Sequence, residues 1–218
     1  MAGFTEAKER VVLLHGLART EGSLAKMAKF LEGEGYEVSN IGYPSRKYTV
    51  EELARMVRDR IGQEVNPGET VHFVTHSMGG ILLRQIEKTR PVPGLGRVVM
   101  LAPPNQGSEV VDKLGGLFLF KWINGPAGNQ LGTDPGGFVK GLGKVGFELG
   151  VVAGDRSINL LLSMLIPGKD DGKVSLESAK VEGMRDYVVV HSAHPFIMKN
   201  REAMGLALQF LRSGSFRR

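Results

Sequence analysis

The segment from Val71 to Gly80 reads Val-His-Phe-Val-Thr-His-Ser-Met-Gly-Gly, and it decides how the rest of the chain is interpreted. Its first half is an apolar run typical of a buried strand. A strand that turns sharply at Ser77 and continues as a helix lifts the serine hydroxyl clear of the backbone. Strand and helix approach closely at such a turn, so small residues are needed, and Gly79 and Gly80 meet this need. The segment therefore predicts a reactive serine at the end of a strand.

The first glycine of the usual Gly-x-Ser-x-Gly pattern of this turn is missing, because Thr75 occupies its place. A larger residue there narrows the turn. The rest of the sequence must therefore support the assignment of Ser77.

The composition limits the possible sites. The chain has 218 residues, of which 42% are hydrophobic, and this predicts a single domain over residues 1–218 with a substantial core. There is no cysteine, which excludes disulfides, thiolate metal sites and a cysteine nucleophile. The first apolar run, Val11 to Leu14, is too short for a signal peptide. We therefore expect a cytoplasmic protein.

The net charge of +5 comes from basic residues spread along the chain. They are not interleaved with aromatic residues in the way that base stacking needs, and we expect no nucleic-acid partner. No segment approaches the roughly 18 apolar residues of a membrane span, so we expect no stable membrane insertion. The sequence leaves the oligomeric state open.

Apolar runs alternate with amphipathic segments along the chain. Strands are predicted at residues 10–14, 37–43, 70–76, 97–102, 150–154 and 187–191, and helices at residues 21–33, 49–63, 78–88 and 196–211. This alternation predicts an α/β fold, a three-layer sandwich of about six mostly parallel strands with helices on both faces. Ligands bind at the carboxyl ends of the strands in such a sheet.

Residues 108–147 interrupt this alternation. The segment contains many glycines and an apolar aromatic stretch at residues 117–123. It is predicted to form either an ordinary helix on the sheet or a small cap or binding wall over the strand ends, where an apolar acyl chain would fit.

A His-Gly-Leu motif, His15 to Leu17, directly follows the first predicted strand. The glycine lets the loop turn back over the strand end. The backbone N–H groups of Leu17 and Met78 are then candidate donors of an oxyanion hole. His15 is interpreted as a structural residue that braces this loop.

A nucleophilic serine needs a histidine as general base. The chain has five histidines: His15, His72, His76, His191 and His194. His72 lies inside a predicted strand, and the side chain of His76 is expected to point away from Ser77. His194 lies in the loop between the last strand and the last helix, at the correct edge of the sheet. It is the preferred base, with His191 as the alternative.

The base needs a carboxylate that fixes its tautomer and stabilises the imidazolium. Asp171 lies in the turn-forming loop of residues 168–174 and is the preferred acid. Asp155, which ends the predicted fifth strand, and Asp170 remain alternatives.

Together these motifs resemble the α/β-hydrolase superfamily, and within it the small bacterial lipase and esterase-like serine hydrolases. The resemblance extends from Val11 to about Leu211. It is carried by four motifs: Leu14-His-Gly-Leu17, Thr75-His-Ser-Met-Gly-Gly80, Asp171-Gly-Lys-Val174 and Ser192-Ala-His-Pro195. The order serine, aspartate, histidine is the order that this fold uses, and the resemblance implies a minimal member that lacks two N-terminal strands of the full fold.

The resemblance implies that Ser77 is the nucleophile, His194 the base and Asp171 the acid, with Leu17 and Met78 as oxyanion donors. The implied activity is hydrolysis of a small acyl ester through an acyl-enzyme, with neither metal nor cofactor. A thioesterase or an acyltransferase would use the same triad. A non-catalytic binding protein with the same fold is a third hypothesis.

Overall fold

The computed structural model describes residues 9–114, 118–158, 163–164 and 166–217, and for residues 118–123 it describes the backbone. Within these residues six apolar segments pair into one sheet. The strands are β1 (Glu9–Leu14), β2 (Glu37–Ile41), β3 (Thr70–His76), β4 (Leu95–Leu101), β5 (Leu149–Gly154) and β6 (Asp186–Val190). The predicted α/β class is confirmed, and the predicted strand ends differ from the observed ones by at most two residues.

The order of the strands is β2-β1-β3-β4-β5-β6, and every neighbouring pair runs parallel. The chain moves outward from β1 to β2 and then returns to pair β3 with the other side of β1. At this reversal the connections that leave β1 and β3 diverge, and a crevice forms at their carboxyl ends. The loop after β1 and the turn after β3 therefore border the same crevice.

Helices cover both faces of the sheet. They are α1 (Ala25–Gly33), α2 (Val50–Glu64), α3 (Met78–Thr89), α4 (Glu109–Leu114), α5 (Phe118–Asn129), α6 (Phe138–Gly141) and α7 (Arg201–Ser213). Side chains of β1 alternate between two apolar cores: Val12 and Leu14 pack with α2 and α3, whereas Val11 and Leu13 pack with α1 and α7. This alternation follows from the two-residue period of a strand, and it produces the three predicted layers.

Capping residues set where the helices begin. Thr49 and Glu52 form the reciprocal side-chain to backbone hydrogen bonds of a capping box at the start of α2. The last helix begins later than predicted, at Arg201, because the Asn200 side chain accepts a hydrogen bond from the Ala203 N–H. The residues before it form a separate 3₁₀ turn, Ile197–Lys199.

The segment of residues 108–147 contains α4, α5 and α6. The backbone of α5 breaks at Gly125, which has φ 67° and precedes Pro126. Residues 115–117 and the side chains of 118–123 lie outside the described residues, and with them the side chains of the apolar aromatic stretch, for which a helix or a binding wall is predicted. No helix of the described ranges has the length and apolar character needed to cross a membrane.

Candidate active site

Ser77 occupies the sharp turn between β3 and α3. Its backbone has φ 53° and ψ −124°, a region that residues other than glycine seldom adopt. Its N–H donates to the Leu101 carbonyl of β4 at 2.9 Å, and its carbonyl accepts from the Gly80 N–H at 3.0 Å. These two bonds stabilise the strained turn, which presents Ser77 to a cavity at the carboxyl edge of the sheet.

Close packing explains the two glycines after the serine. A Cβ atom at Gly79 would lie 2.4 Å from the Leu14 carbonyl oxygen, so α3 can begin against the end of β1 only with glycine at this position. A Cβ atom at Gly80 would lie 3.3 Å from Oγ1 of Thr75, which is fully buried. Glycine at position 80 therefore leaves room for Thr75, which stands where the usual pattern has its first glycine.

The structure brings Ser77, His194 and Asp171 into one chain of hydrogen bonds. The distance from His194 Nε2 to Ser77 Oγ is 3.0 Å, and that from His194 Nδ1 to Asp171 Oδ2 is 2.7 Å. His194 and Asp171 are both buried. Because a carboxylate can only accept, His194 carries its proton on Nδ1, and its Nε2 is free to accept from the serine hydroxyl.

Backbone groups fix the aspartate. Oδ1 of Asp171 accepts from the N–H groups of Lys173 at 3.0 Å and Val174 at 2.9 Å. The turn that aims these donors passes through Gly172, which has φ 97°. The Asp171 carbonyl also accepts from the His194 N–H at 2.9 Å, so two hydrogen bonds join the two loops.

The alternative residues lie elsewhere. Asp155 Oδ1 is 2.9 Å from His191 Nδ1, and this pair is at the surface, with 74% of the His191 side chain exposed. Asp170 accepts from the Gly172 N–H at 2.6 Å and from the Ser163 hydroxyl. None of these three alternatives takes part in the hydrogen-bond chain that begins at the serine.

The loop after β1 lies directly against the serine. A Cβ atom at Gly16 would be 3.1 Å from the Ser77 Cβ. The Leu17 N–H forms no hydrogen bond within the described residues. Met78 is the first residue of α3, so its N–H has no acceptor inside the helix. Both candidate oxyanion donors are therefore available to a ligand.

His15 braces this loop through Tyr43. The two rings stack with centroids 4.0 Å apart, and His15 Nε2 accepts from the Tyr43 N–H at 3.3 Å. Burial lowers the pKa of His15, so the ring is neutral, and its Nδ1–H donates to the Gly16 carbonyl at 2.9 Å. The Tyr43 hydroxyl, whose pKa burial raises, donates to the His15 carbonyl. Both ring nitrogens of His15 therefore form hydrogen bonds that hold this loop.

Solved structures share this architecture, although no protein-family model and no curated protein matches the chain. The mature lipase BlEst2 of Bacillus licheniformis superposes with a TM-score of 0.74 at 19% identity, covering 96% of this chain and 94% of that one. Phospholipase PlaB of Legionella pneumophila gives a TM-score of 0.66 at 18% identity over 96% of this chain and 60% of its own. The type II thioesterase BorB of the borrelidin biosynthetic cluster gives 0.60 at 16% identity, covering 97% and 93%.

The chain has the α/β-hydrolase fold. The resemblance inferred from the four motifs is thereby confirmed at the level of the fold. At identities of 16–19% the likeness is one of fold.

The cavity over the serine has a volume of about 200 Å³. Its apolar lining consists of Leu17, Pro104, Val110, Val111, Leu131, Val174 and Pro195, and its polar lining consists of Arg19, His76, Ser77, Ser108, Asn124, Lys173 and His194. The 108–147 segment supplies several of these residues and so contributes to the wall. In the described part of the chain, no group of three or more metal-binding side chains is arranged to hold an ion.

A larger cavity of about 710 Å³ lies at the opposite edge of the sheet, bordered by Thr70 and Leu95 at the starts of their strands. Ligands of the α/β-hydrolase fold bind at the carboxyl ends of the strands, so volume alone does not identify the site.

His76 belongs to the site although the sequence predicts a side chain directed away from Ser77. No hydrogen bond joins the two side chains in the described structure. The buried ring nevertheless lines the cavity, and its Nε2–H donates to the His194 carbonyl at 3.1 Å. Burial, and then the nearby His194, hold the pKa of His76 well below its ordinary value. A neutral His76 therefore supports the backbone of the loop that carries His194.

Proposed function

We propose that this protein is a serine hydrolase that cleaves carboxylic esters through an acyl-enzyme intermediate. The proposal rests on one observation, the hydrogen-bond chain from Ser77 through His194 to Asp171, with distances of 3.0 and 2.7 Å. Such a chain activates a hydroxyl by providing an oriented base for its proton. The fold shared with the lipase BlEst2 and the phospholipase PlaB is consistent with this chemistry.

In the first half-reaction, Ser77 Oγ bonds to the ester carbonyl carbon while its proton passes to His194 Nε2. The carbonyl oxygen becomes an oxyanion that accepts from the N–H groups of Leu17 and Met78, each worth about 3 kcal/mol in such a site. The Asp171 carboxylate stabilises the imidazolium. The bond from the carbonyl carbon to the alcohol oxygen then breaks, and that oxygen takes the proton from Nε2.

In the second half-reaction, water attacks the acyl group on Ser77, and His194 removes its proton. The same two backbone donors stabilise the second oxyanion. The bond to Ser77 Oγ breaks, the serine regains its proton from His194, and the carboxylic acid leaves. No redox step or external co-reactant other than water is required.

A thioesterase or an acyltransferase is the second candidate, because the likeness to BorB extends over nearly the whole chain. These reactions share the first half of the mechanism. They differ in the leaving group or in the acceptor of the acyl group. Acyl transfer predicts an ester or thioester product when an alcohol or thiol is added, whereas hydrolysis predicts free acid alone.

Hydrolysis of 4-nitrophenyl esters from acetyl to palmitoyl tests the proposal. We expect Ser77→Ala to lower kcat/KM by about a thousand-fold or more. Ser213→Ala removes an exposed hydroxyl at the end of α7, away from this cavity, and should change the rate by less than about three-fold. The cavity of about 200 Å³ favours the shorter chains. Equal activity of Ser77→Ala and wild type would refute the proposal.

A further inference from the structure

Two cationic side chains line the cavity that contains Ser77. Arg19 lies two residues after Leu17, and Lys173 lies two residues after Asp171. The Arg19 N–H donates to the Gly16 carbonyl at 3.3 Å, and the Lys173 N–H donates to Asp171 Oδ1 at 3.0 Å. Both cations are therefore anchored by the loops that form the proposed catalytic site.

Neither cation forms a salt bridge among the described residues, although the Asp171 carboxylate lies close enough to Lys173 to raise its pKa. The Arg19 guanidinium and the Lys173 ammonium form no ion pair and no hydrogen bond there, and no aspartate or glutamate lines this cavity. The nearby Asp171 carboxylate already accepts three hydrogen bonds.

The two charges also repel each other. Desolvation, and then the positive charge of Arg19, lower the pKa of Lys173, whereas the Asp171 carboxylate raises it. Both side chains are exposed, so solvent screens the repulsion and its cost to the free protein is small. The same arrangement attracts an anion, since a bound anion gains two charge-assisted contacts.

The remaining wall of the cavity is suited to a different part of the substrate. Leu17, Val111 and Leu131 are apolar and can contact an acyl chain. An acyl chain on this wall leaves the cationic side for the alcohol portion of the ester. An arginine fork and a lysine ammonium together match the oxygen atoms of a phosphate or a carboxylate.

We propose that the alcohol portion of the substrate carries an anionic group, a phosphate or a carboxylate, which binds Arg19 and Lys173 while the ester carbonyl lies at Ser77. This inference rests on the proposed ester hydrolysis. It defines the substrate class as acidic acyl esters and makes the two cations determinants of specificity.

Two butyrate esters that differ in one phosphate test the inference, namely butyryl glycerol and butyryl glycerol 3-phosphate. We expect wild type to have a kcat/KM about ten-fold higher for the phosphorylated ester, mostly through KM. Arg19→Gln and Lys173→Gln should each lower this ratio by about five-fold. Added salt should lower it as well. Lys29→Gln removes the same charge from the exposed face of α1 and should leave the ratio unchanged.

The outcomes separate the two proposals. If both esters are hydrolysed with a dependence on Ser77 but at equal kcat/KM in wild type and in both variants, the inference is wrong and the hydrolase stands. If Ser77→Ala hydrolyses both esters as fast as wild type, the hydrolase proposal itself is wrong.

A binding measurement does not depend on turnover. In calorimetric titrations, octyl phosphate should bind wild type at least about five-fold more tightly than either glutamine variant, whereas octyl glucoside should not distinguish the three. Equal binding of octyl phosphate to all three would overturn the inference. Short-chain phosphatidylglycerol, supplied either as monomers or in vesicles, shows whether the anion belongs to a soluble ester or to a lipid headgroup. A preference for either form supports recognition of the anionic group.

Discussion

Replacing Asp171 by asparagine tests how the proposed base is oriented. Oδ1 of Asp171 faces two N–H donors, those of Lys173 and Val174, at 3.0 and 2.9 Å. In Asp171→Asn the amide oxygen must keep this position, because turning the amide nitrogen there would set three donors against one another. The nitrogen then faces His194 Nδ1 and donates to it.

The consequence is the wrong tautomer of His194. With its Nδ1 accepting, the ring carries its proton on Nε2, which faces Ser77 Oγ at 3.0 Å and can no longer take the serine proton. A loss of about 10⁴-fold in kcat is expected from such a tautomer change, and this corresponds to about 5 kcal/mol. The fold should persist, because the two backbone hydrogen bonds to Oδ1 remain and only one charge-assisted bond is lost, at about 1–3 kcal/mol.

The assay is hydrolysis of a short-chain 4-nitrophenyl ester at neutral pH, with circular dichroism to verify folding. Asp155→Asn is the matched control, because Asp155 also pairs with a histidine, the exposed His191. It should stay within about two-fold of wild type. A folded Asp171→Asn protein with more than about a tenth of wild-type activity would refute the reasoning, as would an equal loss in Asp155→Asn.

Two further predictions concern stability. Gly79→Ala places a Cβ 2.4 Å from the Leu14 carbonyl oxygen, and we expect it to lower the free energy of unfolding in urea by about 3 kcal/mol and to lower the activity. Gly205→Ala in α7 places a Cβ with no atom within 4 Å, and we expect it to raise the free energy of unfolding by about 0.5–1 kcal/mol. The reverse order would contradict the packing described for α3. The hydrogen bond from Arg10 lowers the pKa of Glu69 from 4.5 to about 2, so the carboxylate stabilises the fold fully above pH 4.5 and ceases to do so as the pH falls through 2. Glu69→Gln should therefore cost about 2 kcal/mol at pH 7 and remove this acid dependence, whereas Glu37→Gln, more exposed on the same arginine, should cost less than about 1 kcal/mol. Equal stability of both variants at every pH would refute this assignment.

The sheet and the sharp turn at Ser77 were predictable because the sequence patterns that specify them are local. The apolar run of β3 and the glycines after Ser77 lie within ten residues, and each strand end is followed by its own turn residues. The last helix was predicted to begin at residue 196 because a continuous apolar period hides the cap at Asn200. Local patterns thus define elements well and their ends less well.

Long-range relations could not be predicted. Asp155 and Asp171 both follow plausible turns at the carboxyl edge, and the sequence alone does not decide which carboxylate reaches His194. The contact of His76 with the His194 carbonyl joins residues 118 positions apart, and no local pattern encodes it. The convergence of Arg19 and Lys173 on one cavity likewise arises from the packing of two distant loops.

The most direct test of the proposed nucleophile is reaction with an alkyl fluorophosphonate, followed by mass spectrometry of the intact protein and its peptides. The account predicts a single adduct on Ser77 that is absent in Ser77→Ala and forms far more slowly in His194→Ala. An unreactive wild-type protein, or an adduct that persists in Ser77→Ala, would contradict the central claim that Ser77 is a nucleophile activated by His194.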